Sequence, residues 1–181
     1  MSAIVHHTLD FEVPLALSPA RAIDFVRDVR QSLAHALFLR DLRVSGGTPL
    51  VVEATLPINA ALFGQRDVPF RSALTPTPTG ARLEGVEIEP VGPGWALVSG
   101  EAMVRAAPSG SVVHYDFSIT VHVELPVDGR WGGRALTRMI EYAAATVLAR
   151  VTSAFPEAIA RAAREAEGAT SALAVTGAAG P

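Results

Sequence analysis

The feature that most constrains this chain is its last long stretch, Trp131 to Glu167. Leu136, Met139, Ile140, Ala143, Val147, Val151, Ala154, Phe155, Ala158, Ile159 and Ala162 recur there at steps of three and four. That is one apolar stripe at the helical period. Unbroken, such a helix runs roughly 55 Å, long enough to lie across a whole domain. Pro156 falls inside it, where a ring without an N–H removes one backbone bond and predicts a kink near Thr152. From Gly168 onward the residues offer little to pack, so 168–181 is expected to be a disordered tail following one domain, residues 1–167.

A helix of this kind needs something to cover, and the preceding chain supplies it. Leu9, Phe11, Val13, Leu15 and Leu17 alternate with polar or small residues, which predicts a strand with one buried face. Pro14 on its other face removes a ladder donor and places the strand at an edge or a bulge. Ser18-Pro19 then starts a helix, with a hydroxyl at the N-cap and Pro at the first helical position. Ala22, Phe25, Val26, Val29, Leu33 and Leu37 share one face, with a break expected near Arg30-Gln31-Ser32 and a second short helix reaching Leu39.

From Leu42 to Leu125 the period is two almost throughout. Turns fall at Ser45-Gly46-Gly47, Thr75 to Gly80, Gly92-Pro93-Gly94 and Pro108-Ser109-Gly110. A change of apolar register from Leu83 to Val86 predicts a bulge at Gly85. The clearest strand sets Val113, Tyr115, Phe117, Ile119, Val121, Val123 and Leu125 against His114, Asp116, Ser118, Thr120, His122 and Glu124, a pattern wet on one face. The order is strand, two short helices, about six strands, long helix: an α+β domain with an antiparallel sheet.

This order is similar to that of the START/Bet v1-like helix-grip superfamily, also called SRPBCC. Two stretches carry the likeness: Leu15 through Ser18-Pro19 and Phe25-Val26 to Val29, and Gly132-Gly133 through Leu136 and Met139-Ile140 into the long helix. It spans about residues 3 to 167. The resemblance implies a curved antiparallel sheet of about seven strands gripping the last helix, with a cavity between them for lipids, hormones, polyketides or other apolar molecules. Some members are cyclases, hydroxylase components or chaperone activators.

Composition narrows the partners. The 181 residues are 49% hydrophobic and 18% charged, with net charge −3 and no Cys. Slight acidity argues against a nucleic-acid footprint, and without Cys there is no thiol nucleophile or thiolate metal site. No apolar run approaches the ~20 residues of a membrane span. The N-terminus lacks the pattern of a signal peptide, so a cytoplasmic setting is expected.

Chemistry-bearing motifs are absent. His6 and His7 point to opposite faces of a strand, and His114 and His122 stand about 27 Å apart on another, so neither pair makes a metal site. His35 reads as a surface histidine. His114 with Asp116 has a spacing for an acid–base pair, but the regular polar alternation reads more simply as a solvated face. Glu84, Glu87 and Glu89 read as outward charge, and Glu157, Arg161 and Glu165 as surface helix pairs. No nucleophile elbow or phosphate loop occurs.

No catalytic residue, cofactor or metal is therefore expected. The expected ligand-binding set is Phe70, Ser72, Met103, Tyr115, Phe117, Met139, Ala143, Val147 and Arg150, with Arg150 on a flank of the stripe. Arg150 reads either as a side chain whose stem covers apolar surface or as an anchor for a carboxylate or phosphate. Ala60-Ala61-Leu62-Phe63-Gly64 reads as a lid, a membrane-touching loop or a packed connection. Alanines on the long helix mean close packing or room for a ligand. The leading expectation is a non-catalytic binder of a small apolar or amphipathic molecule. The alternatives are a cyclase- or dehydratase-like enzyme and a structural accessory protein with a filled cavity. Oligomeric state is left open.

Overall fold

A computed structural model describes residues 2–60, 64–89, 94–124 and 133–177. Seven strands form one sheet in the order β1-β7-β6-β5-β4-β3-β2. They are β1 (Ser2–Leu15), β2 (Arg40–Ser45), β3 (Leu50–Ala60), β4 (Gly64–Thr77), β5 (Gly80–Val86), β6 (Gly94–Ala107) and β7 (Gly110–Glu124). Two short helices, α1 (Pro19–Arg27) and α2 (Val29–Ser32), follow β1, and α3 (Gly133–Gly177) closes the chain. The Leu62-Phe63 segment lies outside the described residues.

The alternation read in the sequence sets the long ladders. β1 pairs antiparallel with β7 from Ser2↔Glu124 to Leu15↔Ser111, so it begins seven residues before Leu9 and carries Pro14 on an edge strand as expected. Leu9, Val13, Leu15, Val113, Tyr115, Ile119 and Val121 are buried on the inner face. The outer face carries exposed cross-strand ion pairs, Glu53 with Arg71, Arg82 with Glu101 and Arg105 with Glu12.

Three expectations for the first two helices are corrected. The helix breaks at Asp28, not near Gln31, because the Asp28 carboxylate accepts from the Gln31 N–H at 3.2 Å and starts a new helix there. That second helix ends at Ser32, and residues 33–39 run on as turns. The Ser18 hydroxyl makes no capping bond, which leaves Pro19 as the start signal.

Gly85 is not a bulge: β4 and β5 stay in register from Arg71↔Val86 to Thr77↔Gly80. Instead the β5–β6 ladder stops at Leu83↔Gly100, and the Gly85 N–H donates to the Ser99 hydroxyl at 2.9 Å. Beyond that point β4 meets β6 directly at Phe70↔Ala96. The register break in the sheet falls in β2, between Arg40 and Arg43, where Asp41 has φ 52°.

Helix α3 lies over the concave face. It starts at Gly133, passes through Pro156, and runs ten residues beyond the end expected at Glu167. Leu148 and Val151 pack among β1, β3, β4, β6 and β7 residues. Ile159, Ala162, Ala163 and Ala166 pack with β1 and with Ala22, Phe25 and Val26 of α1. Residues 158–166 of the helix therefore belong to the core.

Candidate functional site

Between the sheet and α3 lies an interior cavity of about 90 Å³. Its floor is the inner face of the strands, including Val52, Phe70, Val98, Tyr115 and Phe117; its roof is Val151, Phe155 and Ile159 of α3, with Val29, Leu33 and Phe38 closing one side. Period-two alternation delivers the floor residues and helical spacing delivers the roof.

Phe155 organises the interior. Its ring lies 5.3 Å from that of Phe11, 5.4 Å from Phe38, 5.7 Å from Tyr115 and 5.7 Å from Phe117. Phe11 stacks on Tyr115 at 5.2 Å. Offset and edge-on arrangements at these separations are the favourable ones for aromatic quadrupoles. Gly100 makes room for this cluster. A Cβ there would stand 2.3 Å from Cδ1 of Phe117 and 2.4 Å from the Asp116 carbonyl oxygen.

One polar group stands out. Tyr115 is 3% exposed, lines the cavity, and its hydroxyl has no hydrogen-bond partner among the described residues. Burial pushes its phenol well above the ordinary range, since a phenolate there would lose its hydration. The only other side-chain polar group on the described lining is the Ser32 hydroxyl.

The expected binding residues separate accordingly. Phe70, Tyr115 and Phe117 meet at the cavity. Ser72 points inward and is fully buried, but its hydroxyl donates to the Val98 carbonyl at 2.8 Å and ties β4 to β6. Met103 sits on the outer face at 38% exposure, because the inward positions of β6 are the small ones, Ala96, Val98, Gly100, Ala102 and Val104. Arg150 is exposed and lines a surface cleft, not the interior. The side chains of Met139, Ala143 and Val147 lie outside the described residues. Phe11, Phe38, Phe155 and Gly100 were not singled out by sequence; Phe11 and Phe155 carried the signal, as large rings on the two buried stripes.

The histidines are dispersed. The His6 ring bonds Thr120 at 3.0 Å on one face, and His7 bonds Thr152 of α3 at 2.9 Å on the other. His122 stacks on Trp95 at 4.0 Å. His114 lies 3.8 Å from Asp10 and 3.8 Å from Glu12 on β1, its nearest carboxylates being across the ladder rather than at Asp116. His35 is more than a surface group: it meets Glu165 at 2.7 Å and pins the 33–39 segment to α3. Among the described residues no three His, Asp or Glu side chains converge as a metal site, and no helix is long and apolar enough to cross a membrane.

A seven-stranded antiparallel sheet wrapped on a C-terminal helix, with a cavity between, is the helix-grip fold of START/Bet v1-like proteins, and solved structures share it. The Zhui aromatase/cyclase from Streptomyces sp. R1128 superposes with TM-score 0.56 at 17% identity, over 91% of this chain and 94% of that one. The di-domain aromatase/cyclase StfQ of the steffimycin biosynthetic pathway gives 0.53 at 12% identity, and this chain spans about half its length, 53%. A protein of unknown function from Staphylococcus aureus gives 0.50 at 9% identity, over 91% and 98%. Identities this low establish the fold. Residues 10–153 match the family described as "Protein of unknown function (DUF3809)", and the chain belongs to it. No curated protein matches its sequence.

Proposed function

We propose that this chain is a non-catalytic container for a small apolar or amphipathic molecule held between the sheet and α3. The observation that carries this reading is the Tyr115 hydroxyl, without a hydrogen-bond partner among the described residues, on the wall of a cavity whose described lining is apolar apart from it and Ser32. A buried hydroxyl left without a partner costs about 1–3 kcal/mol. A guest with one acceptor or donor recovers that cost, and the surrounding rings supply apolar contact. Phe70, Phe117 and Phe155 are the proposed contacts beside Tyr115.

The resting volume favours a second reading. About 90 Å³ is smaller than the roughly 300–1,000 Å³ of a typical small-molecule site. An interior that stays so filled would suit a structural or assembly role. A cyclase- or dehydratase-like activity calls for converging polar groups, and although the Zhui and StfQ structures are named as aromatase/cyclases, the Tyr115 and Ser32 hydroxyls here offer little acid–base chemistry.

Native mass spectrometry of gently purified protein separates these readings. A retained apolar mass, lost more readily from Tyr115→Phe, is the expected result. Repeatedly empty protein that takes up no added alcohol or arene would favour the filled interior.

A further inference from the structure

A second hollow, about 520 Å³, opens on the surface where α3 passes the 35–40 segment and Pro57 of β3. Its walls combine apolar and cationic groups. Leu37, 92% exposed, and Ala154 line it together with Arg40, Arg150 and Arg161; among the described lining residues Glu157 is the one carboxylate. Arg40 lies 3.7 Å from Asp67, and Arg161 lies 3.9 Å from Glu165. Arg150 has no carboxylate within ion-pair distance among the described residues. Phe38 and Val151 line both this cleft and the interior cavity, so a single layer of side chains separates the two.

From this arrangement we infer that the two hollows are head and tail subsites of one site for an amphipathic anion. The head, a carboxylate or phosphate monoester, pairs with Arg150, whose planar guanidinium matches either group with two parallel hydrogen bonds. The apolar tail passes between Phe38 and Val151 and ends against the aromatic cluster. The Phe38 side chain, which rests on Phe155 at 5.4 Å, is the part of the wall that swings aside, while the His35–Glu165 contact keeps its backbone segment on α3. Its displacement joins the cavities and relieves the small resting volume. The inference rests on the cavity reading above and adds the charge of the ligand and its way in.

The test is calorimetric titration of the whole protein with decanoate, decyl phosphate, decanol and inorganic phosphate, in wild type, Arg150→Gln and Phe38→Ala. Decanoate and decyl phosphate are expected to bind at least about tenfold tighter than decanol, with Arg150→Gln abolishing that advantage and leaving decanol unchanged. Each methylene added to the acid tightens binding about fourfold until the tail fills the interior. Phe38→Ala extends that series to longer tails. Arg150 is exposed, so its variant folds regardless of Phe38→Ala. Equal binding of acid and alcohol, both indifferent to Arg150→Gln, overturns the head subsite while the cavity reading stands. Inorganic phosphate binding as tightly as decyl phosphate makes the cleft a free-anion site and overturns the inference, as does binding to anionic phospholipid vesicles without binding of the free amphiphiles. No binding of any probe overturns both readings.

Discussion

Residues 148–155 and residues 158–166 of α3 cross the same sheet, the first with larger apolar side chains and the second rich in alanine, and they build different interiors. In the later stretch Ile159, Ala162 and Ala163 are each no more than 2% exposed, packed against β1 and α1. Ala162, Ala163 and Ala166 line neither hollow. Small side chains there bring helix and sheet into close contact. In the earlier stretch Val151 and Phe155 roof the cavity, and Arg150 and Ala154 face the outer cleft. Space in this protein lies beside the Phe155 ring cluster, while Ala162, Ala163 and Ala166 mark where helix and sheet close together.

Adding volume to each region tests that contrast most strongly. Ala163→Leu inserts three carbons where none fit and is expected to cost about 3 kcal/mol by urea unfolding. Gly100→Ala, on the cavity floor, should cost about 2 kcal/mol, because its new methyl collides with backbone oxygen as well as the Phe117 ring. Val151→Ile, which adds one carbon beside empty volume, is expected to cost less than about 1 kcal/mol. Comparable losses for Ala163→Leu and Val151→Ile would erase the distinction.

The smallest effect lies at Tyr115. Tyr115→Phe removes an unsatisfied hydroxyl and should leave stability at neutral pH unchanged or slightly higher. Its signature is alkaline. Burial raises the phenol's pKa in the folded state, so the protonated group contributes in full below the unfolded value near about 10. Above that pH the unfolded chain loses its proton first, and stability falls. The Phe variant should lose less stability than wild type between neutral pH and pH values above about 10; equal loss would place the hydroxyl in contact with solvent.

How far sequence reached depends on what each pattern encodes. The fold was legible because β7 alternates cleanly, Pro14 marks an edge, and α3 carries one continuous stripe. Phe70, Tyr115 and Phe117 followed from the same parity. Met103 did not, since β6 has apolar residues on both parities and only packing chose the small set as inward. Ser72 was read with the right face, yet its hydroxyl is spent on Val98, 26 residues away in sequence, a partner no local pattern reveals. Arg150 lies on the flank of a helical stripe, where the rotation of the helix on its sheet decides between interior and surface. Asp28 as a helix break was legible in principle, through the carboxylate placed three residues before the Gln31 N–H.

The central claim is that the hollow under Phe155 accepts a guest. Methyl-selective NMR of the protein titrated with benzene addresses it most directly, since small apolar cavities admit such probes. The account predicts saturable shifts at Leu83, Val98 and Val151, which line the cavity, with Val104 and Val113 outside it unmoved. Shifts confined to exposed Leu37, or none at the cavity methyls at saturating benzene, would contradict it.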